Sequence, residues 1–247
     1  MSDDNNPYAA PQSSSFSPSL PLTGNIVPTA VDAGSIISFA MEVWKANLKL
    51  LVGITVVFLG ATWGLAIVQY LVNVIFEQLG QRWLGLILGV GVNMVSAAVS
   101  IFLGIGQVQI TLKLLRGQPA QFGDLFAGGP RFLPVLGASL LGGFAIWLGF
   151  IACVVPGLLL ILFFWPFYWL VVDQKTGVIE SFGVAYSIAK VNVGSTLILW
   201  LVSFGVLLLG VIALLVGLLF AAPLVSLVWG AAYLMMAGLL SPQPRTV

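Results

Sequence analysis

The sequence has no histidine, a single cysteine and few charges. Without histidine there is no imidazole general base, no Ser-His-Asp or Cys-His nucleophile system, and few of the usual transition-metal ligands. With Cys153 alone, neither an intramolecular disulfide nor a thiolate zinc site can form. Charged residues make up 7% of the 247, where an ordinary soluble domain has roughly 25%. Nine basic and eight acidic side chains cannot cover the surface of a water-soluble fold this long. A formal net charge of +1 offers no basic field, so no nucleic-acid partner is expected. No carboxylate pair, glycine-rich phosphate loop or nucleophile–base spacing is present, so no catalytic residue, cofactor or metal is expected.

Hydrophobic residues are abundant, at 60%. The charges divide them into blocks: 27 uncharged residues between Lys49 and Glu77, 30 between Arg82 and Lys113, 41 between Arg131 and Asp173, and 54 between Lys190 and Arg245. About 20 apolar residues cross a hydrocarbon core roughly 30 Å thick. The first two blocks therefore hold one span each, long enough to tilt or to pass the interface. The last two need a break inside. Val154-Val155-Pro156-Gly157 reads as a tight turn, and the stretch from Gly217 to Pro223 as a second. The pattern predicts an all-α integral membrane bundle of six spans, at about 51–76, 83–112, 132–154, 158–172, 194–218 and 222–240. The fourth is short and carries Pro166, so a kinked or partial crossing is expected.

With six spans both termini share one side, which receives eight of the nine basic residues. Only Arg82 falls on the other side, which predicts cytoplasmic termini in a cell membrane. Trp44, Trp83, Trp165, Tyr168 and Trp169 fall near span ends, where amphipathic rings favour the headgroup zone. Trp63, Trp147 and Trp200 fall further in and read as packing residues. Residues 1–31 hold five prolines and six serines without a helical or strand period, the composition of a disordered tail. Residues 242–247 form a short C-terminal extension.

From Ser35 the polar positions Ser38, Glu42, Lys45 and Lys49 follow at spacings of 3, 4, 3 and 4. The segment is an amphipathic helix just before a span, expected to lie in the cytoplasmic headgroup layer with its lysines toward phosphates. A second copy lies 145 residues later, with Glu180, Gly183, Ser187 and Lys190 as its stripe. Lys45-Ala46-Asn47 aligns with Lys190-Val191-Asn192. Phe122-Gly123-Asp124-Leu125-Phe126 before Arg131 reads as a shorter third copy. The plan is three units, each a leading segment followed by a helical hairpin. Lys45, Lys49 and Lys190 are the candidate lipid-headgroup contacts, so membrane lipids are the expected partners, with a protein partner at the cytoplasmic face as another.

The second span is the most polar. Asn93, Ser96, Ser100, Gln107 and Thr111 share one face. Unpaired polar groups do not face lipid cheaply, so this face looks into the bundle or a wet cavity. It is either a solute pathway or a set of interhelical hydrogen bonds worth roughly 0.6 kcal/mol each. No intramembrane charge accompanies it, which favours packing. Gln69 and Asn73 are positioned to partner it, and Gly60-x-x-x-Gly64 and Gly85-x-x-x-Gly89 to let helices approach. Asp173 is expected to cap a helix or to pair with Lys175, and Cys153 to be a reduced packing cysteine near the outer turn.

Several short motifs carry a resemblance. They are Phe122-Gly123-Asp124-Leu125-Phe126 with Arg131-Phe132-Leu133-Pro134, then Cys153-Val154-Val155-Pro156-Gly157, then Val172-Asp173 leading to Ser181-Phe182, Ala185-Tyr186-Ser187 and Lys190-Val191-Asn192. Over about residues 33–240 the chain resembles a group of poorly characterised bacterial multi-pass proteins. That group includes the membrane domain fused to some glycerophosphodiester phosphodiesterases and related domains of unknown function. The resemblance implies a six-helix architecture and a link to the envelope. It carries no catalytic residues onto this chain. The leading expectation is a non-enzymatic protein that organises or regulates the envelope through lipid or protein contacts. A transporter or exporter of a small or amphiphilic solute is the alternative. An intramembrane enzyme would have only Asp173, Glu77 and scattered serines to work with.

Overall fold

A computed structural model describes residues 26–213 and 216–240 of the chain. Every regular element among the described residues is helical. Six helices, counting the broken pair at Val154–Val172 as one, are long and apolar enough to cross a membrane. The chain is a multi-pass, all-α bundle.

The first helix, α1 (Ala33–Ala46), starts where the Asp32 side chain accepts the Ser35 amide at 3.2 Å. It ends at Asn47, whose amide donates to the Val43 carbonyl at 2.9 Å. Next comes α2 (Leu48–Gln78), paired as an antiparallel hairpin with α3 (Arg82–Leu115). Two short 3-10 turns, Phe122–Phe126 and Gly129–Arg131, lead into α4 (Phe132–Ala152). Its hairpin partner is broken into α5 (Val154–Phe164) and α6 (Phe167–Val172). The last unit is α7 (Glu180–Val191), α8 (Val193–Ile212) and α9 (Leu218–Met236).

Prolines explain where the breaks fall, and two of them lie differently from expectation. The turn between α4 and α5 is the single extended residue Cys153, at φ −176° and ψ 161°. Pro156 sits inside the first turn of α5, where its missing amide hydrogen costs nothing. Pro166 does break a helix, because its ring opposes the carbonyl four residues back. Pro223, expected in the last turn, lies inside α9 instead, and α8 already stops at Ile212. The close approach of that hairpin comes from Gly210, which packs on Gly217 and Ala221.

The three leading segments sit in the same relation to their neighbours. The first 3-10 turn packs on α3 and α7 on α5 and α6, in each case the second arm of the hairpin before it, while α1 packs on α9, the second arm of the last hairpin. The buried face of α1 is Ala33, Ile36 and Ala40, at helical spacing. Its lead-in, residues 26–31, lies within the stretch expected to be disordered. That lead-in is bonded to the end of α9, Val27 N–H to Ala237 O at 3.1 Å and Thr29 N–H to Met236 O at 2.9 Å. At the far end of α1, the Trp44 indole donates to Phe220 O in the first turn of α9. α1 therefore runs along the span α9 in the opposite direction, where the sequence pattern places it flat in the headgroup layer, and its lysine end points toward the start of α9. The remainder of the expected tail, 1–25, and the expected extension, 242–247, lie outside the described residues.

The core gathers at one end. There α3 and α6 finish, α4 begins, and residues 26–31 meet the end of α9. Ala231 to Ala237 are all buried, and so is most of α3 from Leu103 to Leu115. We term this the basic end, since it holds Lys113, Arg116, Arg131 and Lys175. Toward the opposite end each hairpin packs mainly on itself. Gly85 lies on Phe76, Gly89 on Gln69, and Gly149 on Gly157, while Gly60 and Gly64 face open space. Trp63 and Trp147, read from sequence as packing residues, are 50% and 59% exposed on this outer surface. Trp165 and Trp169, read as headgroup anchors, instead pack inward on Trp229 and Tyr233.

The tightest junction is Gly106 under Leu125, where an added methyl would overlap the Leu125 carbonyl oxygen. Gly106→Ala is expected to lower the unfolding free energy in detergent by about 1–3 kcal/mol, the usual cost of overpacking. Gly60→Ala, in open space, is expected to be neutral or to gain up to about 1 kcal/mol of helix propensity. Circular dichroism melting of the two variants checks both.

Candidate functional site

The basic end is where polar chemistry concentrates. Arg116 closes α3, and Asp173 closes α6. A carboxylate at a helix C-terminus opposes the helix dipole, so it needs a cation nearby. Arg116 supplies one in a two-pronged pair, Nη1 to Oδ1 at 2.8 Å and Nη2 to Oδ2 at 2.6 Å. The Tyr233 hydroxyl, from α9, donates to Oδ2 at 3.0 Å. The Arg116 and Asp173 side chains are only 18% and 7% exposed. Burial alone would lower the Arg116 pKa, but its hydrogen bond to Asp173 and that carboxylate's charge outweigh burial and raise it. The guanidinium stays charged.

Asp173 thus has partners 57 and 60 residues away, and the expected partnership with Lys175 gives way to them. A fork-shaped guanidinium satisfies both carboxylate oxygens, which a lysine on the same loop does not. Sequence reasoning missed Arg116 and Tyr233 because nothing local links them to Asp173. The available signal was a tyrosine on a span that otherwise carries only hydroxyl and apolar side chains near that end. The stacked Trp169 and Tyr233 rings, 6.2 Å apart, brace the triad. Gly230 admits Leu115, Thr111 and Trp169 around the same point.

A second ion pair fastens the first 3-10 turn. Lys113 Nζ donates to Asp124 Oδ1 at 2.7 Å, and Asp124 Oδ2 accepts the Gln121 amide at 2.9 Å. The Phe122–Phe126 motif is thus a latch, with Leu125 fully buried over Gly106.

The polar stripe divides along α3. Thr111 is buried, donates to Gln107 O at 2.8 Å, and so accepts from Ser226 of α9 at 3.1 Å. Asn93 is exposed and donates to the Gly89 carbonyl of its own helix at 2.9 Å. Ser96, Ser100 and Gln107 are half-buried, with no side-chain hydrogen bond among the described residues. Gln69 and Asn73 reach each other at 3.4 Å over Gly89 and bond no stripe residue. The stripe is therefore one interhelical contact at the basic end, followed by residues that make no such contact.

Lys45, Lys49 and Lys190 are all exposed. Lys45 and Lys190 precede asparagines of nearly the same conformation, Asn47 at φ −120° and ψ 22° and Asn192 at φ −121° and ψ 26°. Asn192 does more than Asn47. It accepts the Val31 amide at 3.0 Å and donates to Thr29 O at 2.9 Å, tying the N-terminal lead-in to the α7–α8 corner. Cavities lie at either end of the described bundle. One, of about 310 Å³, lies at the tip of the first hairpin around Asn73, Glu77 and Arg82. The other, of about 550 Å³, lies at the basic end between Arg131, Gln174, Lys175 and Thr176. Neither is lined by a stripe residue.

Breaking a buried pair by removing one partner costs about 3–5 kcal/mol, whereas replacing both by apolar groups is often neutral. Asp173→Asn is expected to lose stability on that scale in chemical unfolding. Arg116→Met combined with Asp173→Leu is expected to recover most of it, and equal loss in both variants would contradict the assignment.

No family model, curated protein or solved structure matches the chain.

Proposed function

We propose that the chain is a non-enzymatic multi-pass membrane protein that organises or regulates the cell envelope through contacts of its unpaired lysine and arginine side chains with lipid headgroups. The observation that carries this reading is a division among the cations. Lys113 and Arg116 are used inside the protein, in ion pairs with Asp124 and Asp173. Lys45, Lys49, Arg131, Lys175 and Lys190 form no ion pair among the described residues. Cations that hold nothing in the fold are free to meet anionic headgroups, at about 1 kcal/mol each near such a surface. The basic end faces the cytoplasm in this reading, by the excess of lysine and arginine there. The shared relation of the three leading segments to their neighbours supports the three-unit plan.

A transporter remains the second reading, favoured by the half-buried Ser96, Ser100 and Gln107 without hydrogen-bond partners. Against it, Thr111 and Ser226 are already committed to each other at the basic end of that face.

Lys45→Glu with Lys190→Glu tests the lipid reading. After extraction and purification from mixed membranes, the ratio of phosphatidylglycerol to phosphatidylcholine retained by the protein is expected to fall at least about tenfold. An unaltered ratio by mass spectrometry contradicts it.

A further inference from the structure

We propose that the cavity between the start of α4 and the α6–α7 loop binds a phosphate-ester anion, and that the occupant is the headgroup of an anionic phospholipid. The inference rests on the lipid reading above and gives it a defined site. The cavity, of about 550 Å³, is walled by Pro134 and Val171 on its apolar side and by Arg131, Gln174, Lys175 and Thr176 on its polar side. That size suits a small ligand, for which pockets run roughly 300–1,000 Å³.

Three features point to an anion. Arg131 and Lys175 are both half-buried and form no ion pair among the described residues. The neighbouring carboxylate that would neutralise Lys175, Asp173, is taken by Arg116 and Tyr233. Glu180 also lines the cavity, with Oε2 accepting the Gly177 amide at 3.4 Å. The lining still carries a net positive charge of one, from two cations against one carboxylate. The Thr176 hydroxyl oxygen is buried with no hydrogen-bond partner. A buried hydroxyl normally finds one, and a rotation about the Thr176 Cα–Cβ bond would turn it to a ligand oxygen in this cavity.

The backbone adds an independent sign. Gln174 has φ 57°, whereas the other left-handed residues among those described are Gly80, Gly117 and Gly238. It occupies the turn that ends α6, where its amide bonds Val171 O at 3.2 Å and the Lys175 amide bonds Leu170 O at 3.1 Å. Glycine is the usual residue there, because a side chain is strained at that angle. A glutamine at this position places an amide in the cavity wall at the expense of stability, the pattern of a binding residue. A phosphate diester would find two cations, an amide donor and a hydroxyl here. The apolar wall leads toward the membrane span of α4.

The test uses the full chain in a neutral detergent, titrated with short-chain phosphatidylglycerol, phosphatidylcholine or inorganic phosphate. Native mass spectrometry and the thermal midpoint are the readouts. One phosphatidylglycerol is expected to bind more tightly than phosphatidylcholine. R131Q with K175Q is expected to weaken it about tenfold or more, and R82Q to leave it unchanged. Q174G is expected to raise the midpoint of the free protein and yet to weaken binding, a combination that a purely structural glutamine does not produce. If R131Q/K175Q and Q174G bind as wild type while K45E/K190E loses lipid, the site is overturned and the lipid reading stands. If none of these variants changes binding, both fall. Saturation by inorganic phosphate without competition from phosphatidylglycerol overturns the headgroup as occupant.

Discussion

The contact between Arg116, Asp173 and Tyr233 joins one residue from each of the three hairpins. Lipid tails give helices no hydrophobic reason to associate with one another rather than with lipid. A buried, fully hydrogen-bonded ion pair does, because its charges have no acceptable alternative in an apolar surrounding. The packing around it follows from that anchor. Gly230 lets α3 and α6 close on α9, Trp169 stacks on Tyr233, and Leu125 seats on Gly106 beside the Lys113–Asp124 latch.

Away from the anchor the hairpins part. α2 and α3 run 31 and 34 residues, about 46 and 51 Å at 1.5 Å per residue. α8 and α9, at 20 and 19 residues, are nearer 30 Å. The first hairpin must therefore tilt or overhang by about 20 Å. Its outer half is held mainly by its own glycine contacts and presents large apolar side chains such as Ile67, Leu86 and Met94. A bundle fastened at one end concentrates its buried polar contacts there. The unpaired Arg131 and Lys175, the strained Gln174 and the polar cavity are found there.

Much of this was legible in the chain. The gaps between charges gave six spans, because the cost of burying charge in lipid spaces them out. Asn47 and Asn192, matched by their Lys-x-Asn context, share a backbone conformation. What stayed hidden depends on long-range contact. The partner of Asp173 could not be read from a neighbourhood that contains Lys175. Pro223 looked like a turn residue, yet a helix between helices tolerates it. Trp63 and Trp147 lie centrally in their spans, but depth along a helix does not say which way a side chain faces. Gln174 gave no local signal at all, since only the backbone angle marks it.

In the lipid reading the basic end is a closed junction, with no aqueous route along the polar face of α3. Thiol accessibility tests it most directly. In a chain carrying Cys153→Ser, Ser100→Cys and Gln107→Cys would be exposed singly to a small membrane-impermeant reagent from each side. Gly123→Cys and Gln81→Cys, at exposed positions of the two ends, report that the reagent arrives. The account predicts labelling at the two end positions and none at 100 or 107. Labelling of Gln107→Cys from the basic end would contradict it and would make the protein a conduit rather than an anchor.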